Sequence, residues 1–249
     1  MRLEEIMVVT PERPELSRRR ALEVELSQLG ALAEAQLSQS ITAFERRDVA
    51  LAEQSIADDA RIDAAHRAIE IEAIAMLSEE RLDPLGVREA VAAIKVAGDL
   101  ERVGDLAKNV AKRTLVLSEE PKSLGVASGV AAMGRQSLLQ LSNVLDAFSA
   151  RNVQVARAVW GADDNIDELY NSLFNETLQA MMRDAEQVNA CTHLVFISKN
   201  FERVGDHATN IAEALYMLVT GKTLTNDRPK GDETPTTFVS RPDEAPSEG

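Results

Sequence analysis

Apolar side chains return at steps of three and four through most of this chain, and the stretches they mark are long. Leu22, Leu26, Leu29, Ala33, Leu37, Ile41 and Phe44 form one such series. A helix turning about 100° per residue stacks these positions on a single face, so the spacing predicts an amphipathic helix from about Pro14 or Glu15 to about Arg47. Proline suits a first helical position, where its missing N–H would have no partner. Arg46-Arg47-Asp48 then reads as a tight corner with Asp48 as N-cap. A second helix is predicted from Val49 to about Glu80, with Ala52, Ile56, Ile62, Ile69, Ala73 and Leu77 on its core side. Asp83-Pro84 supplies the start of a third, running to about Leu117 along Val91, Ile94, Leu100, Val103, Ala107, Val110, Thr114 and Leu117.

From Pro121 the same order of elements begins again. A fourth helix is expected over about 122–150, carrying Leu138, Leu141, Leu145 and Phe148, and Arg151-Asn152 echoes the Arg47-Asp48 corner. The fifth carries Asp163, Asp164 and Asp167, and the sixth runs from about 185 to 220. The repeat is literal in one place: Glu101-Arg102-Val103-Gly104-Asp105 recurs as Glu202-Arg203-Val204-Gly205-Asp206, and Ala107/Ala208, Asn109/Asn210 and Ala111/Ala212 match beyond it. Asp59 and Asp63 find counterparts in Asp163 and Asp167, so the two halves differ only by a short change in the connection before their third helices. The expected fold is all-α: two tandem three-helix bundles, six long antiparallel helices, related by a pseudo-two-fold axis. The expected divisions are a flexible segment 1–14, repeats over 15–120 and 121–225, and an acidic tail 226–249. Pro229, Pro235, Pro242 and Pro246 punctuate that tail, and its composition predicts disorder.

Composition narrows what such a bundle can bind. Among 249 residues, 41 acids face 27 bases, a net charge of −14 that argues against nucleic acid or an anionic membrane as the main ligand and favours cations or basic proteins. A 4% aromatic content with scarce Gly and Pro fits a helical chain. Cys191 is the one cysteine, which points to a reducing compartment and a buried, inert thiol. Met1-Arg2-Leu3-Glu4-Glu5 lacks the basic end and apolar run of a signal peptide, and no stretch nears 18 apolar residues; a cytoplasmic protein is expected.

The repeated pentapeptide carries the candidate chemistry. Residues four apart stack one turn above another, so Glu101, Asp105 and Asn109 form an oxygen-bearing stripe, and Glu202, Asp206 and Asn210 its twin. Like charges at that spacing repel by roughly a few tenths of a kcal/mol unless a cation or an arginine intervenes. Arg102 and Arg203 can fill that role, leaving a solvated acidic flank. Alternatively, Asp59/Asp63 and Asp163/Asp167 face the stripes from neighbouring helices, and hard oxygen donors then suit Mg²⁺, Mn²⁺ or Ca²⁺, with iron or zinc also accommodated. Glycine costs about 1 kcal/mol against alanine inside a helix, so Gly104 and Gly205 point to close backbone approach or a bound group. The Glu-x-x-His motif of di-iron bundles is missing: His207 adjoins Asp206, but the first copy has Leu106 there. His66, three residues after Asp63, is a further donor on helical spacing, although a seam or surface role suits it better. Gly221-Lys222-Thr223 lacks the earlier glycine of a phosphate-binding loop, and Asn175-Glu176-Thr177 lies mid-helix, so neither signals function.

The doubled Glu-Arg-Val-Gly-Asp helices, each followed by Ala-x-Asn-Val/Ile-Ala on a three-helix framework, resemble the PhoU family of bacterial phosphate-transport regulatory proteins. Leu29-Gly30 and Asp146-Ala147-Phe148 share the likeness, which spans about residues 15–225. The resemblance implies a cytoplasmic negative regulator of the phosphate-starvation response and no enzyme. Such an adaptor would link the ATPase of a high-affinity phosphate ABC transporter to a phosphate-sensing histidine kinase. It implies bound divalent or trivalent metal ions (Mg, Mn, Fe or Zn) at Glu101, Asp105, Glu202 and Asp206, with Asp59, Asp63, Asp163 and Asp167 as further ligands, and a homodimer. A metal-dependent carboxylate-bundle enzyme and a purely structural helical scaffold are the alternatives.

Overall fold

A computed structural model describes residues 14–120, 125–161, 164–224 and 234, and these are helical almost throughout. Helix α1 spans Pro14–Arg46, α2 Val49–Leu77 and α3 Pro84–Ser118. The second half follows with α4 Ala127–Ser149, α5 Val153–Gly161, α6 Asp164–Arg183 and α7 Val188–Thr220, a single 3-10 turn at Ala185–Gln187 leading into α7. The expected fifth helix is thus described as α5 and α6, on either side of residues 162–163, which lie outside the described residues. The tail expected over 226–249 lies outside them too, save residue 234.

Local chemistry explains where these helices start and stop. Asp48 accepts the Leu51 N–H at 3.0 Å, the N-cap expected of it, and Arg47 takes the left-handed conformation at φ 54° that turns the corner. Its guanidinium then caps the far end of α3 by donating to the carbonyls of Leu117 and Glu120. The second corner is built alike: Arg151 sits at φ 50° and Asn152 accepts from Gln154 and Val155. Asp83 accepts the Gly86 N–H at 2.6 Å, and that bond, with Arg19 beside it, holds its carboxyl below the usual carboxylate range. Gly221, the first letter of the Gly-Lys-Thr run, closes α7 in the left-handed conformation at φ 69°, donating to the Met217 carbonyl. The second helix stops at Leu77 rather than near Glu80, Ser78 capping it.

Core packing joins the halves into one body. α3 packs on α1, α2 and α7, while α7 packs on α3, α4, α5 and α6, and α1 meets α4 across the division. One continuous apolar cluster runs from Leu22 to Leu215. Its centre is rich in alanine, and α3 buries Ala90, Ala93, Ala97 and Ala107, so helix backbones approach closely there. Gly134 on α4 is a required small residue: a Cβ there would stand 2.8 Å from the Phe201 ring of α7 and 3.1 Å from Ile41 of α1. Gly104 serves the same purpose against Ile62, at 2.9 Å, which assigns the mid-helix glycine to close packing. Most of the expected apolar positions are buried or packed on the core, but the register shifts by one at two of them: Ala90 rather than Val91 is buried on α3, and Met76 rather than Leu77, which is 38% exposed, on α2.

Candidate functional site

The two acidic stripes lie on α3 and α7, the helices that join the halves, and the structure surrounds them differently. On α3, Glu101 and Asp105 are half-buried, and Arg102 approaches them at 3.5 and 3.4 Å, as a solvated acidic flank requires. Asp59 of α2 is buried, whereas Asp63 is half-buried one turn on. Between Asp59 and Asp105 stands a residue that the repeat did not flag. Lys108 Nζ donates to Asp59 Oδ2 at 2.6 Å and to Asp105 Oδ1 at 2.6 Å. Burial opposes its charge, yet the bonds to Asp105 and Asp59 win and hold the ammonium well above the usual lysine range.

On α7 the acid is deeper. Glu202 is buried, only 6% exposed, Asp167 on α6 is equally buried, and Asp206 is half-buried. Lys199 donates to Glu202 Oε1 at 2.9 Å, but Glu202 Oε2 is buried with no hydrogen-bond partner. Burial pushes the Glu202 carboxyl up to about 7, Asp206 and Asp167 adding to the rise while Lys199 opposes it. Asp163 lies outside the described residues. Lys199 also lies 4.9 Å from the Tyr170 ring centroid, tying α7 to α6.

These surroundings decide how each donor set fits a cation. In the first half an ammonium already lies where a cation would neutralise the Asp59–Asp105 pair, so that set does not fit a metal ion. In the second, Lys199 meets one Glu202 oxygen and the other is buried without a hydrogen-bond partner, so the carboxylate is only half satisfied. Among the described residues, no three or more His, Cys, Asp or Glu side chains converge so as to hold a metal.

The histidines serve elsewhere. His66 lies 3.7 Å from Glu70, its neighbour one turn on. His193 on α7 meets Arg113 of α3 at 3.2 Å, and burial together with Arg113 lowers its pKa. His207 points across the division to Asp99 of α3 at 2.8 Å, and Asn210 donates to the same oxygen at 3.1 Å. Sequence reasoning missed Lys108, Lys199 and Asp99. Lys108 follows Asp105, and Lys199 precedes Glu202, by three residues, a signal legible as helical pairing. Asp99 offered none, because its partners lie in the other half. Cys191 is buried, and burial raises its thiol pKa, as suits an inert side chain.

Together these features define a class: an all-α protein made of two copies of an acid-striped three-helix unit, fused through the striped helices themselves. The chain belongs to the PhoU domain family, whose model matches residues 26–114 and again 130–215. A relative from Caulobacter vibrioides, a phosphate-specific transport system accessory protein PhoU homolog, is 42% identical over 85% of this chain and 92% of its own length. The Rhizobium meliloti protein of the same name is 41% identical over 85% and 89%. The crystal structure of PhoU from Pseudomonas aeruginosa superposes with a TM-score of 0.81 at 29% identity, covering 83% of this chain and 99% of that one. The Streptococcus pneumoniae phosphate transport system regulatory protein PhoU gives 0.78 at 27% identity, covering 85% and 100%. No helix among the described residues is long and apolar enough to cross a membrane.

Proposed function

We propose that this chain is a regulatory accessory protein of a phosphate-specific transport system. It holds the phosphate-starvation response off by bridging the transporter ATPase and a phosphate-sensing histidine kinase. The observation that carries the reading is that family likeness covers both halves, in relatives named as accessory proteins of that transport system. The protein acts by docking rather than by turnover, in the cytoplasm. Its net charge of −14 suits attraction to basic patches on those partners, a steering effect screened within about 10 Å at 0.1 M salt. A homodimer belongs to the same reading, and the exposed Ile71 and Ile74 of α2 offer apolar surface for it. A metal ion belongs to the same reading, and the observation that favours the second half for it is the buried Glu202 oxygen without a hydrogen-bond partner, on a carboxyl that Asp206 and Asp167 also act on. The test is surface-immobilised chain titrated with the purified ATPase and with the kinase's cytoplasmic part across a salt series. Binding to both that weakens as salt rises supports the reading, whereas binding to neither sinks it.

A further inference from the structure

The family likeness extends a metal expectation to both copies of the motif, yet the copies differ at the residue that matters for charge. Position 108 of α3 aligns with Thr209 of α7, one hundred and one residues on. Lys108 carries a charge to the helix junction, bonded at 2.6 Å to one carboxylate on its own helix and at 2.6 Å to another on α2. Thr209 is buried, carries no charge, and turns its hydroxyl back to the Gly205 carbonyl of its own helix at 3.1 Å. The second half's lysine enters elsewhere, at Lys199, whose counterpart in the first half is Gly98, with open space around the position of a Cβ. Lys199 bonds one Glu202 oxygen and leaves the other buried and unpartnered.

We propose that Lys108 is a built-in counter-ion that stands in for metal at the α2–α3 junction, so that the first half takes up no metal ion. Two carboxylates facing each other across a helix seam need one positive charge between them, and a tethered ammonium provides it without dependence on metal supply. A metal would have to displace both short bonds and leave the ammonium, itself only about one-fifth exposed, without a partner. The first repeat is then a permanently closed joint, and any response to metal is confined to the second.

The inference goes beyond the functional reading above and can fail separately from it. The full chain, freed of metal, would be incubated with Mn²⁺ and its bound manganese counted per chain after desalting, alongside the thermal midpoint with and without Mn²⁺. Lys108→Thr, which copies the second half's residue, should gain roughly one Mn²⁺ per chain over the parent and show a larger Mn²⁺-induced rise in midpoint. Asp59→Asn with Asp105→Asn should leave bound manganese as in the parent. Loss of manganese in that double variant, or no gain in Lys108→Thr, would overturn the proposal. Lys108→Met, read by the same counts with helicity checked by circular dichroism, covers the case in which the threonine variant does not fold. A parent that binds no manganese counts against the second-half site alone, since the gain in the lysine variants still decides this one.

Discussion

His207 of α7 and Asp99 of α3 meet across the division between the repeats, Nδ1 to Oδ1 at 2.8 Å, and Asn210 donates to the same carboxylate oxygen. Neither partner has an equivalent in the other copy: the counterparts of Asp99 and His207 are Asn200 and Leu106. The repeats therefore diverge where they grip each other. Asp99→Ala should leave two largely buried polar groups unpaired and cost about 1–3 kcal/mol in urea unfolding. A change within about 0.5 kcal/mol would show that the clamp contributes nothing.

Gly134 is the tightest passage between α4, α7 and α1. Its missing Cβ is where the fully buried Phe201 ring passes, and that ring is walled in by the core. Gly134→Ala gains roughly 1 kcal/mol of helix propensity but forces the ring aside. The expected net effect is a loss of about 1–2 kcal/mol, and Gly134→Leu should lose more. A stabilised alanine variant in thermal unfolding would show that Phe201 moves freely.

The two corners should respond alike. Asp48→Ala and Asn152→Ala each remove the oxygen that caps the following helix, and each should cost about 1 kcal/mol of stability in chemical denaturation. If only one matters, the corners are equivalent in shape but not in strength.

Much of this architecture was legible because a long helix writes its buried face into the sequence at fixed steps. The series from Leu22 to Phe44 is buried throughout, and the corners at Asp48 and Asn152 carry the caps their letters suggest. The identical pentapeptides located both stripes. What they could not reveal was the charge around each one, which depends on how far a lysine side chain reaches and on which neighbour lies opposite. Lys108 finds Asp59 only once α2 and α3 are packed. Asp59 rather than Asp63 is the deeper residue because the seam selects within a stripe that periodicity leaves about 100° wide. Leu77 escaped the core because the last turn of α2 is exposed on the side that helical spacing assigned to it.

Glu202 makes stability depend on pH in a direction opposite to that of most paired acids. Its carboxyl titrates near 7 in the folded chain against an ordinary 4.5, chiefly through burial, with Asp206 and Asp167 nearby. Between these values the folded chain binds more protons at this site than the unfolded chain. Stability therefore falls as pH rises through that window and levels off above it. Lys199 limits the effect by favouring the ionised form. Other groups titrate over the same range, so the measurement is a comparison: metal-free parent and Glu202→Gln, unfolded by urea at about pH 5 and about pH 7.5. The parent should lose more stability between the two than the glutamine variant, which carries no proton to give up. Equal losses would mean that Glu202 reaches water or a counter-charge in solution and that its buried oxygen is satisfied. Adding Mn²⁺ should shrink the parent's loss, because a cation beside Glu202 favours the ionised carboxylate that burial penalises.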